Sequence, residues 1–465
     1  AGAGGRMGPA RLPSEEPGPP EGYLGLANED ESVNREQNEE VPMNRKNAWM
    51  LAVVIMWTVV AQGAGRDGVF SITDYGAVPD GKTDNTAAIQ KALDVCMVAG
   101  GGTVRVAGGA FMTYTLYPRS NTRLEIEAGA SLEGGPDPLK YPLFDTNDNW
   151  RVEFSLRRNR RALIYAVAQT NLAICGRGLI NGHAEYFHVP TDGHWWRRKD
   201  DQLLTGRCLF LVGCRDVLLE NFRMLNPTGW SMWLLDCERV SICGLNIDMN
   251  LKYPNGDGIH IGSCRDVTVS DCIVRSSDDA LILRAYQHQL AKPMPCERIT
   301  VNNCVLQSNS AGVRIGWTHD YEVRDCRLSN LVIRESQTGI IIALPTTKNV
   351  PNDPPRGPDV PPLPDPAPFA LENVHFSGVS MDVRGDAFLM EFGQDAKIRC
   401  VRDLTFSDMT VRAPCYPRFR LRPGDNVSDI VFRDVRWELK EGGKGAFELR
   451  GVERLTLDHV TFTER

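Results

Sequence analysis

Four segments of one kind, CRDVLLENF, CERVSICGL, CRDVTVSDC and CERITVNNC, begin at Cys214, Cys237, Cys264 and Cys296. They recur after 23, 27 and 32 residues, and each holds a short alternating apolar strand, a turn rich in Asn, Asp and Gly, and a second strand. A repeat of that size makes a solenoid, in which each unit buries its face only against its neighbours. The pattern predicts an all-β chain, a single-stranded right-handed parallel β-helix. Each coil needs roughly 20 or more residues for three short strands, side chains alternate in and out, and the period drifts because turns absorb insertions. No helix-period segment separates the strands, which disfavours a leucine-rich repeat, and the spacing is too short for the four strands of a propeller blade.

Apolar strands continue in VHFSGVSMDV, DLTFSDMTV, DIVFRDVRWEL and LTLDHVTF, so one solenoid over residues 67–465 is expected to form the catalytic domain. From Thr86 to Ala99 the residues Ala88, Ile89, Ala92, Leu93 and Cys96 keep a helical period, with Asp84 and Asn85 as N-cap candidates and Gly100–Gly102 as the stop. This helix is expected to cap the open end of the first coil, whose edge would otherwise be exposed. Ten prolines within residues 345–368 cannot donate ladder bonds, and read as a loop inserted beside the helix or as a surface linker. At the other end, Arg45 and Lys46 precede an apolar run from Ala48 to Ala61, followed by Gly63 and Ala64. That is the anatomy of a signal peptide over 43–66, and it implies a secreted or periplasmic protein with no membrane contact after cleavage. Residues 1–42, rich in Gly, Pro and Glu, read as a disordered or misassigned upstream extension.

The 52 Lys and Arg against 59 Asp and Glu give a net charge of -7, so no global basic field exists to hold nucleic acid. An acidic polymer must be met by local cations instead. Thirteen cysteines leave at least one thiol unpaired, and their recurrence at equivalent repeat positions points to a buried ladder of small hydrophobes. No CxxC pair or His/Cys cluster suggests a metal, and no cofactor is expected. The oligomeric state is open.

The chemistry is expected between Asn255 and Arg314. In YPNGDGIHIGS, Asn255, Gly256, Asp257 and Gly258 precede a strand, and 21 residues after Asp257 comes Asp278, followed by Asp279, in RSSDDALILR. Stacked strands lie about 4.8 Å apart, so Asp257 and Asp278 are candidates to project from adjacent coils of one face. Asp279 joins them only where the backbone bends, and Ser276 and Ser277 supply such a turn. Crowded carboxylates oppose one another's ionisation and retain a proton near neutral pH, as a general acid must. The same acids also suit a plainer use, capping backbone amides in solenoid turns.

These motifs resemble glycoside hydrolase family 28, the polygalacturonase and rhamnogalacturonan hydrolase family of pectin-degrading β-helices. The resemblance runs from Phe70 to the C-terminus and includes FSITDYGAVPDGKTDNTAAIQKAL, GRGLINGHAEYFH with Trp195 and Trp196 downstream, and NPTGW at 226–230. NGDGIHI resembles the family's Asn-Thr-Asp-Gly motif with Gly256 for Thr, and SSDDALIL its Gly-Asp-Asp motif. It implies Asp278 as general acid, with Asp257 and Asp279 activating water for inversion. Inverting carboxylates stand roughly 6.5–9.5 Å apart and retaining ones about 5–5.5 Å, so one coil of separation lies nearer the retaining value. Inversion therefore comes from the resemblance and not from the spacing.

Two departures bear on substrate. Where the family has Gly-His-Gly, this chain has Ser310, Ala311 and Gly312, and at the two basic positions of Arg-Ile-Lys it has Ile341 and Ala343. A galacturonate carboxylate would lose both cations, so plain homogalacturonan is not expected to be the substrate. Arg284 and Arg314 are candidate replacements for the cations, and His260 or His288 for the imidazole. Trp317 is the preferred sugar-stacking platform, and of Trp230 and Trp233, three apart and so on opposite faces of a regular strand, at most one should reach the cleft. Asn255 completes the candidate substrate contacts, and Arg157, Arg158, Arg160 and Arg161 form either an acidic-substrate rim or a solvated loop. A β-helix lyase or epimerase, and an inactive carbohydrate-binding solenoid, are the competing functions.

Overall fold

In every repeat the residue after the cysteine is Arg or Glu in alternation, and the parallel register explains why. Arg215 pairs with Glu238, Glu238 with Arg265, Arg265 with Glu297 and Glu297 with Arg324, each on the next coil. Opposite charges therefore stack up one column, with Arg215–Glu238 at 3.3 Å and Arg265–Glu238 at 2.8 Å. The next column repeats the device with Asp216–Arg239 and Asp266–Arg298, both at 2.7 Å. Exposed pairs of this kind contribute at most about 1 kcal/mol each. Their larger effect is on register, because a slip by one coil would place like charges together.

The computed structural model describes residues 68–144, 161–199, 207–287, 289–346, 367–441, 449 and 451–464. The expected extension over 1–42, the signal segment over 43–66, most of the Pro-rich segment, and Arg157, Arg158, Arg160 and His288 lie outside them. Each central coil contributes three strands, such as Trp230–Leu235, Glu238–Cys243 and Asn246–Asp248. The first strand of each coil joins a nine-stranded all-parallel sheet running from Ala162–Val167 to Arg418–Arg420. The others stack into a second parallel set of 21 strands, which continues through Val427–Leu439 to Thr461–Glu464. This is a right-handed parallel β-helix.

The corners are set by residues that tolerate the left-handed region: Asn221 (φ 63°), Gly244 (φ 65°), Asp271 (φ 56°) and Asn303 (φ 56°) on successive coils. Inside, the cysteines of the repeats form the expected buried ladder. Cys214, Cys237, Cys264 and Cys296 are fully buried, and the Cys237 amide donates to Cys264 Sγ at 3.3 Å. All thirteen thiols are unpaired. Towards the C-terminus the core is aromatic, with Phe376, Phe406 and Phe432 stacked at 5.3 and 4.8 Å.

The helix forms over Thr86–Val98 and buries Ile89, Ala92, Leu93 and Cys96 against the first coils. Asn85 occupies the N-cap, but its Oδ1 turns back to the Val78 amide at 2.7 Å, and it is Asp84 Oδ1 that accepts from the first helical amide, of Thr86, at 3.1 Å. Gly100, Gly101 and Gly102 all take positive φ and end it.

Candidate active site

Asp257 sits two residues before the strand Ile259–Gly262, and Asp279 two residues before Leu281–Arg284. Those strands pair with Ile259 opposite Leu281, so the register carried back two residues sets Asp257 beside Asp279. The Gly258 amide, which donates to the Asp279 carbonyl at 2.8 Å, holds that register. The register partner of Asp257 is thus Asp279, while Asp278, which the spacing sets one coil from Asp257, lies on that same coil one residue earlier. Asp278 falls opposite Gly256, to whose carbonyl its amide donates at 3.0 Å. The expected bend lies at Ser277–Asp278, between Ile273–Ser276 and Leu281–Arg284. Ser276 and Ser308 hydroxyls both donate to the Asp278 carbonyl, at 2.7 and 2.5 Å, and pin it.

Gly256, which stands where the family has Thr, is explained by the same bend. A β-carbon there would collide with Ser277 Oγ and Met249 Sδ. Ser277, at the position of the first glycine of Gly-Asp-Asp, fills that space and donates to the Gly256 carbonyl at 3.3 Å.

The three carboxyls differ in surroundings. Asp257 is buried, and burial followed by the charges of Asp278 and Asp279 pushes it well above the usual carboxylate range. Asp278 is half-buried, and desolvation together with Asp279 raises it to about 6. Its Oδ2 accepts from Asn255 Nδ2 at 3.4 Å, and Asn255 Oδ1 in turn accepts from Arg198. Asp279 receives three donors: Ser310 Oγ at 2.7 Å, the Ala311 amide at 3.0 Å, and Arg314 Nε. Ala311, at the position of the family's histidine, thus still supports an acid, through its backbone.

The outward-facing column of the nine-stranded sheet runs Tyr165, Phe210, Trp233, His260, Ile282, Arg314 and Ile341, each register partner to the next. His260 is buried, with Nδ1 3.3 Å from Asp257 Oδ2 and Nε2 2.7 Å from the Tyr286 hydroxyl. Burial, then the charges of Arg284, Arg207 and Arg314, lower it well below the ordinary histidine range, so it is neutral. Trp230 stacks on His260 at 4.0 Å, and Trp233 meets Trp230 edge-on at 5.3 Å. The two tryptophans therefore share one side of the sheet, against the alternation expected of a regular strand, because Trp230 is the first residue of its strand, at the corner. Only Trp230 keeps solvent exposure; Trp233 is buried.

Arg284 is buried and engages Asp320 through Nε and Nη2 at 2.7–3.1 Å, with its guanidinium 4.4 Å from the Tyr286 ring. It supports the site from behind. Arg314 lies 4.8 Å from the Trp317 ring, so the preferred platform and one of the two candidate cations adjoin. Arg161 is buried and donates to the Tyr141 carbonyl at 2.8 Å, so it is no part of a solvated rim. Sequence reasoning missed Tyr286, Ser310 and Arg207. Arg207 is fully buried 4.2 Å from the Trp230 ring, and burial draws it down to about 10. Only register could have found these residues.

A family model described as glycosyl hydrolases family 28 matches residues 144–344, and one described as rhamnogalacturonase A/epimerase, pectate lyase-like, matches 69–124. The chain is 25% identical over 283 residues to a probable polygalacturonase of Vitis vinifera, covering 58% of this chain and 56% of the relative. It is 24% identical over 327 residues to an exo-poly-alpha-D-galacturonosidase of Dickeya chrysanthemi, covering 61% and 53%. The chain thus spans about half the length of these relatives. Among solved structures, a hyperthermoactive exopolygalacturonase from Thermotoga maritima aligns with TM-score 0.65 and 19% identity, over 89% of this chain and 95% of that one. A polygalacturonase from Erwinia carotovora ssp. carotovora aligns with TM-score 0.60 and 17% identity, over 83% and 95%. At those identities the structural likeness bears on the fold.

Proposed function

We propose that this chain, whose residues 144–344 belong to glycoside hydrolase family 28, hydrolyses glycosidic bonds in a pectin-type or related acidic polysaccharide or oligosaccharide other than plain homogalacturonan, with inversion and outside the cell. The observation that carries the reading is the convergence of Asp257, Asp278 and Asp279 on two adjacent coils, with Asp278 raised to about 6. Asp278 gives its proton to the glycosidic oxygen as the bond from the anomeric carbon breaks. Water attacks that carbon from the other face and loses a proton to Asp257 or Asp279. Three donors fix the orientation of the Asp279 carboxyl within the pair.

The substrate reading rests on where cations stand. Ile341 and Ala343 offer none, while Arg314 Nε binds Asp279 and its two Nη groups have no hydrogen-bond partner among the described residues. A substrate carboxylate can meet those groups beside the Trp317 ring. Export rests on the apolar run at 48–61, and N-terminal sequencing of exported protein should find a start near residues 63–68.

Product analysis on a panel of polysaccharides tests the function. New reducing ends without ultraviolet absorbance are expected. Unsaturated ends would assign elimination instead, and retention without cleavage would assign binding alone.

A further inference from the structure

His260, a candidate replacement imidazole with no partner legible in the sequence, has one in the fold. Tyr286 follows the strand Leu281–Arg284, where its amide donates to Ser263 Oγ at 2.8 Å and its backbone bridges to Asp320. Its ring crosses over Gly262, where any β-carbon would strike it, and so reaches the coil that carries His260. The hydroxyl then meets His260 Nε2 at 2.7 Å, while Nδ1 faces Asp257 at 3.3 Å.

A neutral imidazole has one N–H, and an ionised carboxylate can only accept. Burial and the charges of Asp278 and Asp279 press Asp257 towards its protonated form, so its ionised form needs a donor; the one at hand is Nδ1, which must then carry the proton while the phenol donates to Nε2. We propose that Tyr286 is a positioning residue for the hydrolysis: by donating to Nε2 it fixes His260 as the Nδ1–H tautomer, which aims that N–H at Asp257 and keeps this carboxyl an acceptor for the proton of the attacking water. The inference rests on the hydrolase reading above. When Asp257 gains a proton, the pattern inverts: the Asp257 hydroxyl donates to Nδ1 and Nε2–H donates to Tyr286. The tautomer of His260 is thus a readout of the protonation of Asp257. The charged and titratable groups facing His260 are Asp257, Tyr286, Arg207, Arg284 and Arg314, with Asp278 and Asp279 beyond Asp257. Three of these are guanidinium groups, which oppose a third state in which the ring carries both protons.

The test is nitrogen-15 NMR of imidazole-labelled protein across pH, run beside steady-state kinetics of Tyr286→Phe and His260→Gln. The wild type should show the Nδ1–H tautomer in the active pH range and invert as Asp257 protonates, whereas in Tyr286→Phe, where Nε2 has lost the phenol donor that favours this form, the inversion should move to higher pH. Tyr286→Phe should lose about tenfold in kcat with KM changed by less than about twofold, and its ascending pH limb should move to higher pH because the imidazole that donates to the Asp257 carboxylate loses the phenol's support. The double variant should lose no more than His260→Gln alone, since both changes act on one carboxyl. An Nε2–H tautomer in the active range, or a Tyr286→Phe protein that inverts at the wild-type pH with wild-type kcat, would overturn the proposal. The NMR arm needs no substrate, so it decides the tautomer even if no polysaccharide is found to be cleaved.

Discussion

Replacing Arg314 by Ala removes two things that can be told apart. The first is the partner of Asp279, and the side chains of that pair are only 12% and 9% exposed. Breaking so enclosed a pair costs ~3–5 kcal/mol when the remaining charge is stranded. Asp279 keeps Ser310 and the Ala311 amide, so the lower end, about 3 kcal/mol, is expected in denaturant unfolding. Arg314 also lowers both Asp257 and Asp278, so its loss must raise them. Both limbs of the pH–activity profile should shift to higher pH on every substrate. The second loss is the pair of Nη groups, and it falls only on a substrate bearing a carboxylate. One charge-assisted hydrogen bond contributes about 1.5–3 kcal/mol, or roughly 10- to 150-fold in kcat/KM. Arg314→Ala should therefore cut kcat/KM on the acidic substrate by that factor beyond its effect on the carboxyl-reduced counterpart. Equal losses on the two would show that Arg314 serves Asp279 alone, and the acidic-substrate reading would lose its local support.

Asp278→Asn should lower kcat about 10²- to 10⁴-fold, measured as reducing-sugar release, with binding nearly intact, and the wild type should lose activity as pH rises through about 6, where Asp278 gives up its proton. Gly256→Thr should destabilise by about 1–3 kcal/mol in thermal unfolding because its side chain meets Ser277 and Met249, and Ser277→Gly should rescue it; additive losses in the double variant would contradict the steric account. His183 lies between Glu133 at 2.7 Å and Glu185 at 2.6 Å, which outweigh its burial and lift it to about 9. Because the folded value lies above the unfolded one, its contribution is complete below about pH 6.5 and disappears as pH rises to about 9. The urea midpoint should fall over that window in the wild type and not in His183→Gln.

The coil repeat, the capping helix and the cysteine ladder were legible because each depends on local periodicity. The three aspartates were legible too, since each stands in a contiguous motif. Their pairing was not: a count of 21 residues from Asp257 to Asp278 looks like one coil, but the bend after Ser276 puts Asp279, and not Asp278, in register. The alternation rule failed for Trp230 and Trp233 for a related reason, because a corner breaks the two-residue period. The ion-pair partner of Arg284, Asp320, was not legible because it lies 36 residues away. Tyr286 had no local signal at all, since its role exists only across the gap left by Gly262.

Arg314 is the register partner of Ile341, the residue at the first basic position of the family's Arg-Ile-Lys motif. In a stack of coils, a side chain at one column address can be traded for the same side chain one storey away, a translation of about 4.8 Å along the axis with its direction unchanged. This chain carries an arginine one storey from the address where the family's motif has one, on the side of the acids. Gly256 and Ser277 trade bulk across neighbouring coils in the same manner. Arg314→Ile combined with Ile341→Arg would reverse the move.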